Sequence, residues 1–340
     1  MDEKVSREIR LRKRPIGIPT ESDFEIVDVP VREPQNGEIL VQNLYVSVDP
    51  YMRGRMIDRK SYTTAFQPGE TITGGSIGKV AISNLDEFQV GEYVLTMQGW
   101  REYFVSDGGG LTKIDPLSVP IQSYLGVMGM PGMTAYVGLL KIGQPKENET
   151  VYVSAASGAV GSIVCQIAKI KGCRVVGSAG SDQKVAWLID EIGVDAAFNY
   201  KVAENLTAEL KNHCPNGIDI YFENVGGKHL EAVLANMNLF GRIPVCGMIS
   251  QYNQTEDQPG PKNLTSIIGK RLLLQGFIVS DHYDQLPQFH EEMLKWIKEG
   301  KIKWEETIIE GIENTPQAFI GLFTGENLGK MLVRVGMDKE

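Results

Sequence analysis

One passage near the middle of the chain restricts the fold more than any other. Val151–Ala156 is a short apolar strand, and it runs straight into Ala155-Ala156-Ser157-Gly158-Ala159-Val160-Gly161. Ser162–Lys171 follows, with Ile163, Val164, Ile167, Ala168 and Ile170 on a helical stripe. A strand, a glycine turn and a helix in that order suit a dinucleotide. Gly158 has no Cβ, so the backbone can approach a pyrophosphate, and Gly161 lets the helix pack close to the sheet. The helix N-terminus turns its N–H groups and positive dipole end toward the phosphates. Ala156 stands where the strongest form of the motif has its first glycine.

The surroundings carry as much weight as the turn. Arg174–Ala179, Ala196–Tyr200, Ile218–Glu223, Arg242–Cys246 and Leu272–Val279 read as strands. Helical stretches at Asp182–Ile192, Asn205–His213 and Lys228–Asn236 separate them. Alternating strands and helices predict an α/β fold with a doubly wound parallel sheet. Before about residue 125 the pattern differs. Glu38–Val48, Gly75–Ala81 and Glu92–Met97 are short strands punctuated by Gly and Pro clusters, which predicts a barrel-like β module. Pro316–Phe323 reads as a short helix and Lys330–Val335 as a last strand without a following helix. That strand is expected to dock on the β module. The expected division is 1–125 with 310–340, and 126–309 inserted between them.

The end of the second parallel strand decides which dinucleotide fits. An NAD site usually carries Asp or Glu there to hold the ribose 2′-hydroxyl. Here the sequence is Gly177-Ser178-Ala179-Gly180-Ser181, and Asp182 fits better as a helix N-terminal residue. Lys184 is placed to neutralise a 2′-phosphate and Ser181 to donate to it, although a helix lysine is more often simply solvated. The balance favours NADPH.

Composition removes other classes. The 340 residues carry a formal net charge of -9, which argues against a nucleic-acid partner. The basic run Arg7, Arg10, Arg12, Lys13 and Arg14 is followed by acids and reads as a solvated first strand. No apolar segment is long enough for a membrane helix or signal peptide. The four cysteines, Cys165, Cys173, Cys214 and Cys246, are scattered, so a reducing cytoplasm is expected. His213, His229, His282 and His290 show no metal-ligand spacing, and no metal is expected. Hydride chemistry without a metal needs another donor to the substrate oxygen, and tyrosine is the natural one.

Several segments resemble the zinc-free medium-chain dehydrogenase/reductases, and within them the NADPH-dependent 2-alkenal and prostaglandin/leukotriene reductases. They include Val46-Ser47-Val48-Asp49-Pro50-Tyr51-Met52-Arg53-Gly54, Gly129-Met130-Pro131-Gly132-Met133-Thr134-Ala135-Tyr136 and Tyr221-Phe222-Glu223-Asn224-Val225-Gly226-Gly227. Cys246-Gly247-Met248-Ile249-Ser250-Gln251-Tyr252-Asn253, Gln275-Gly276-Phe277-Ile278-Val279 and Glu326-Asn327-Leu328-Gly329-Lys330 complete the set. The resemblance covers essentially the whole chain. It implies a GroES-like β-barrel domain plus a Rossmann domain, with the active site in the cleft between them, and a homodimer. Carried over by position, it implies pyrophosphate on Gly158, Ala159, Val160 and Gly161, and 2′-phosphate on Lys184 and Tyr200. It places Asn224 on the ribose side, Cys246 and Tyr252 by the nicotinamide ribose, and Phe277, Ile278 and Val279 at the carboxamide. Asn327 is implied as a further cofactor contact.

The implied reaction is reduction of the carbon–carbon double bond of α,β-unsaturated ketones or aldehydes by conjugate hydride transfer. Tyr252 and the cofactor ribose hydroxyl would hydrogen-bond the enolate oxygen; a phenol is protonated at neutral pH and suits that role. The plainer reading of Tyr252 is a loop tyrosine that orders the cofactor. Tyr51, after Asp49–Pro50, is a candidate for substrate contact or, equally, an apolar anchor for its loop. Arg53 and Arg55 read as candidates for acidic groups or as ordinary paired arginines. Met128, Met130 and Met133 read as an adaptable pocket or as plain core. A quinone reductase and a non-catalytic NADPH-binding protein remain alternatives.

Overall fold

The computed structural model describes residues 4–338. Its strands, in chain order, are β1 Val5–Leu11, β2 Phe24–Pro30, β3 Ile39–Ser47, β4 Ser76–Ser83, β5 Tyr93–Thr96, β6 Tyr103–Ser106 and β7 Thr112–Lys113. There follow β8 Thr150–Val153, β9 Arg174–Ala179, β10 Ala196–Asn199, β11 Ile218–Phe222, β12 Met237–Val245, β13 Leu273–Gly276, β14 Glu306–Glu310 and β15 Lys330–Arg334. They divide between two compact units. One holds the described residues up to Leu125, Glu306–Asn327, and those from Met331 onward; the other holds Gly126–Glu305 and Leu328–Lys330. No helix of the described residues is long and apolar enough to cross a membrane.

The first unit is built on an antiparallel sheet in the order β14-β15-β3-β4-β5-β7, with β6 also pairing β3 and a separate β1–β2 pair. β3 is its centre because Ile39, Leu40, Val41, Leu44 and Val46 bury both faces of the strand. The last strand, β15, pairs β3 antiparallel, Leu332 opposite Ser47. Trp100 is fully buried near Phe24 and Phe319, with ring centroids 5.9 and 5.8 Å away, and its indole N–H donates to the Ser47 carbonyl at 3.0 Å. The basic run near the start is less solvated than its charge suggests. Ile9 and Leu11 of β1 lie in the core, and Arg7 forks onto Glu102 with bonds of 2.8 and 3.0 Å.

The second unit carries a parallel six-stranded sheet in the order β10-β9-β8-β11-β12-β13. This is the doubly wound order, with its switch point between β8 and β11, where crossovers leave for opposite faces and open a crevice at the strand ends. Strands covered on both faces need continuous apolar runs, and Val151, Tyr152 and Val153 are all fully buried. The Tyr152 ring stacks with those of Phe198 and Tyr221 at 6.2 and 5.2 Å.

Some boundaries differ from the expected ones. β12 begins at Met237 rather than 242, and β13 stops at Gly276 rather than 279. The second difference follows from pairing, since the last residue of β12, Val245, lies opposite Gly276. A helix spans Leu286–Lys298, where the sequence reading expects none; Phe289, Met293 and Trp296 form its buried face.

Candidate cofactor and active site

The glycine turn is shaped by contacts that forbid larger residues. A Cβ on Gly161 would lie 2.4 Å from the Ala155 carbonyl oxygen and 2.9 Å from Ala156 Cα, so the helix Gly161–Ile170 approaches the turn only because that atom is missing. At Gly158 the nearest atom would be the Ala155 oxygen at 3.3 Å, which leaves one side of the backbone open to a ligand. No side chain caps the helix N-terminus; the Ser162 N–H donates to the Gly158 carbonyl at 3.0 Å, and a helix start of this kind suits an anion. Ala159 and Val160 complete the arc. The late segment Leu328–Lys330 supports it from behind, with the Gly329 N–H donating to the Ser157 carbonyl at 2.9 Å.

A second group gathers at the ends of β9 and β10. Ser181 caps the helix Asp182–Trp187, its hydroxyl accepting from the Lys184 N–H at 3.3 Å. Asp182 accepts from the Asn199 side chain at 2.8 Å, consistent with a helix-start residue rather than a ribose ligand. The Lys184 side chain is half-buried. Burial, and then the charge of Lys201, lower its ammonium pKa. A Cβ on Gly180 would meet both the Tyr200 hydroxyl and Lys201 Cε at 3.2 Å, so tyrosine and lysine converge on the strand end. Lys201 is a further candidate that the sequence reading missed; it reaches the strand end only through the pairing of β10 with β9. Two ammonium groups, a phenol and a serine there suit a dianionic phosphate. His229 meets the Tyr200 ring edge-on at 4.9 Å, and burial holds its imidazole down to about 4.

The third group lies at the switch point. Asn224 donates through its side chain to the Ser154 carbonyl at 2.7 Å and through its N–H to the Ser154 hydroxyl at 3.1 Å. Loop 246–252 is laid along the same turn: Ile249 and Ser250 donate N–H bonds to the carbonyls of Asn224 and Val225, both at 3.1 Å. The Tyr252 phenol oxygen accepts from the Met248 N–H at 3.3 Å and sits 2.8 Å from where a Gly247 Cβ would be, so a larger residue at 247 would displace the phenol. Burial, with Glu223 adding to it, pushes the Cys246 thiol up to about 12, so it is no nucleophile at neutral pH. Burial also lifts the Glu223 carboxyl above the usual carboxylate range, against hydrogen bonds from Tyr221, Gly226 and Val225. Phe277, Ile278 and Val279 follow β13 half-buried; the Phe277 ring meets Phe222 edge-on at 6.5 Å and packs over Gly138.

Tyr51 and Asn327 belong to the first unit. Tyr51 packs against the cluster around Trp100 and Phe319, and burial and Asp49 raise its phenol pKa. Arg53 is buried and donates to the carbonyls of Gly17 and Pro15, so it ties down a loop rather than offering charge to a ligand. Arg55 bonds the Thr64 carbonyl and stacks 4.0 Å over Phe66. Met128 and Met133 are core. Among the described residues there is no group of three or more His, Cys, Asp or Glu placed to hold a metal ion.

Residues 7–114 match the family described as N-terminal domain of oxidoreductase, and residues 159–299 match the one described as zinc-binding dehydrogenase. The chain is 49% identical over 346 residues to the 2-alkenal reductase (NADP(+)-dependent) of Nicotiana tabacum, spanning 99% of this chain and 100% of that protein. It is 45% identical over 333 residues to the NADPH-dependent curcumin reductase of Escherichia coli (strain K12), spanning 96% of each. The crystal structure of CurA in complex with NADPH from Vibrio vulnificus matches with a TM-score of 0.92 at 45% identity, over 98% of this chain and 100% of that one. The chain therefore belongs to the medium-chain dehydrogenase/reductase family, among its NADPH-dependent reductases.

Proposed function

We propose that this protein reduces the carbon–carbon double bond of α,β-unsaturated aldehydes and ketones with NADPH. The observation that carries the reading is the match, over nearly the whole chain, to an NADP-dependent reductase of 2-alkenals, which are α,β-unsaturated aldehydes. The residues present fit the cofactor. A Cβ on Gly158 would have only the Ala155 carbonyl oxygen within 4 Å, which leaves room beside the turn, Gly161 lets the helix approach it, and the strand end at Gly180 presents Ser181, Lys184, Tyr200 and Lys201 with no acid on the strand end itself. In this reading Gly158, Ala159, Val160 and Gly161 hold the pyrophosphate, and Ser181, Lys184 and Tyr200 hold the 2′-phosphate. Asn224, Cys246, Tyr252, Phe277, Ile278, Val279 and Asn327 take the remainder of the dinucleotide. When bound, NADPH would supply a hydride for the substrate β-carbon, and a proton taken up at the α-carbon would complete the saturated carbonyl. Tyr252 donates a hydrogen bond to the carbonyl oxygen as it gains enolate charge, where a fixed donor counts for more than in water. Tyr51 contacts the substrate.

The test follows NADPH absorbance with a 2-alkenal, a ring-extended enone and a quinone, with NADH as control, and identifies the product by mass spectrometry. Saturated carbonyl product and a clear preference for NADPH are expected. Turnover of the quinone alone, an allylic alcohol product, or equal use of NADH would defeat the reading.

The same reading includes a cytoplasmic homodimer. Four free cysteines suit a reducing compartment. β13 is the outer strand of the parallel sheet, and Leu273 on it is 48% exposed, with Phe240 of β12 62% exposed. An apolar sheet edge of this kind pairs readily with a second copy across a two-fold axis. Light scattering is expected to give about twice the 37.6 kDa of one chain, and Leu273→Lys to shift the mass toward one chain. A monomeric wild type would refute the dimer without touching the chemistry.

A further inference from the structure

Glu223 directly follows β11 at the switch point, is 0% exposed, and has no part in the chemistry above. Its Oε1 collects three close donors, the Tyr221 hydroxyl at 2.6 Å, the Val225 N–H at 2.7 Å and the Gly226 N–H at 2.8 Å, with the Ser154 hydroxyl a fourth at 3.5 Å. Oε2 is buried with no hydrogen-bond partner among the described residues. The backbone of the same residue holds the neighbouring loop, its carbonyl accepting from the Cys246 and Gly247 N–H groups at 3.0 and 3.1 Å. Its N–H donates to the Pro244 carbonyl at 3.0 Å. One residue thus fastens the turn that carries Asn224 with its side chain and the loop that carries Tyr252 with its main chain.

The arrangement is costly unless it has a use. Burying a carboxyl in a solvent-free site is unfavourable, and the converging donors offset this only in part. Those donors in turn depend on Oε1. With an apolar residue at 223, the partly buried Val225 amide and the buried Gly226 amide would lose their acceptor, and a buried donor left unpaired is costly. The turn they belong to passes through Gly226 at φ +75° and Gly227 at φ +55°, and Oε1 is the acceptor for its Val225 and Gly226 amides, while Ser154 and loop 246–252 hold Asn224 and the Val225 carbonyl.

We propose that Glu223 is a positioning residue of the cofactor site: Oε1 and the 223 carbonyl together set how Asn224 and Tyr252 are presented to the bound dinucleotide. This rests on the reading of that site as an NADPH site. It also makes a sharp distinction. Only one oxygen of the carboxyl is engaged, so a carboxamide oxygen can replace it, whereas a shorter or apolar side chain cannot.

The experiment compares wild type, Glu223→Gln, Glu223→Leu and Glu223→Asp. NADPH dissociation constants come from fluorescence titration, kcat and KM from steady-state assays with a 2-alkenal, and apo thermal midpoints from circular dichroism. Glu223→Leu is expected to weaken NADPH binding and to lower kcat by about tenfold or more each. Glu223→Gln is expected to restore both to within about threefold, which a bare loss of stability would not produce. If the leucine variant does not fold, Glu223→Asp carries the same expectation, because it withdraws the oxygen by one methylene. A folded leucine or aspartate variant with wild-type affinity and kcat overturns the proposal, as does a glutamine variant as impaired as leucine. A wild type that fails to bind NADPH overturns the cofactor reading as well, so the two failures are told apart.

Discussion

Tyr252→Phe is expected to lower kcat for an α,β-unsaturated ketone by on the order of 10²-fold at saturating NADPH. The substitution keeps the ring and removes one oxygen. That oxygen lies on loop 246–252, accepts from the Met248 N–H at 3.3 Å, and shares a hydrogen-bonded turn with Asn224. A donor to a developing enolate acts mainly in the transition state, so kcat and kcat/KM are expected to fall together, with the NADPH dissociation constant little changed. Steady-state assays with fluorescence titration of NADPH measure both. Unchanged kcat at full cofactor occupancy would reduce Tyr252 to a residue that orders its loop. A loss confined to NADPH affinity would move its role to cofactor binding.

His229 gives the second large expected effect, on stability rather than rate. Its imidazole is buried against the Tyr200 ring, Nε2 has no hydrogen-bond partner among the described residues, and burial holds the pKa to about 4 against an ordinary 6.5. The unfolded chain therefore takes up a proton near pH 6.5 that the folded chain refuses until about 4. Stability from this residue is complete above pH 6.5 and falls as the pH drops, by about 3 kcal/mol once pH 4 is reached. His229→Phe keeps an aromatic ring beside Tyr200 and removes the titration. Urea unfolding of both proteins across this range is expected to show the variant gaining on the wild type as pH falls. Carboxylates elsewhere titrate alike in the two chains and cancel in the difference. Parallel curves would mean that the imidazole is not kept neutral by its surroundings.

Much of the second unit could be read from local pattern. A parallel strand covered on both faces must be apolar throughout, so Val151–Val153 and Val175–Val176 declare themselves. The glycine turn and the acid-free strand end are each contained in a few consecutive residues. Ends of strands are less legible, because they depend on the neighbour: 272–279 is one apolar run, and only pairing with β12 shows that it stops at Gly276. The helix Leu286–Lys298 carries its signal openly in Phe289, Met293 and Trp296. The parts of the candidate site that could not be read are non-local. Lys201 matters because the β9–β10 pairing brings it to Gly180. Ser154, Glu223 and loop 246–252 meet because the strand order sets β8, β11 and β12 side by side. No window of sequence contains that adjacency.

The bond from Gly329 to Ser157 has a consequence for the order of events during synthesis. The glycine turn is synthesised about 170 residues ahead of the backbone that supports it, which belongs to Leu328–Lys330. A contact between such distant positions closes a very long loop and forms slowly. The sheet of the second unit can assemble while translation continues; its glycine turn acquires this support only after Leu328–Lys330 has been made. A nascent chain would therefore be folded in outline before it is competent to bind its cofactor.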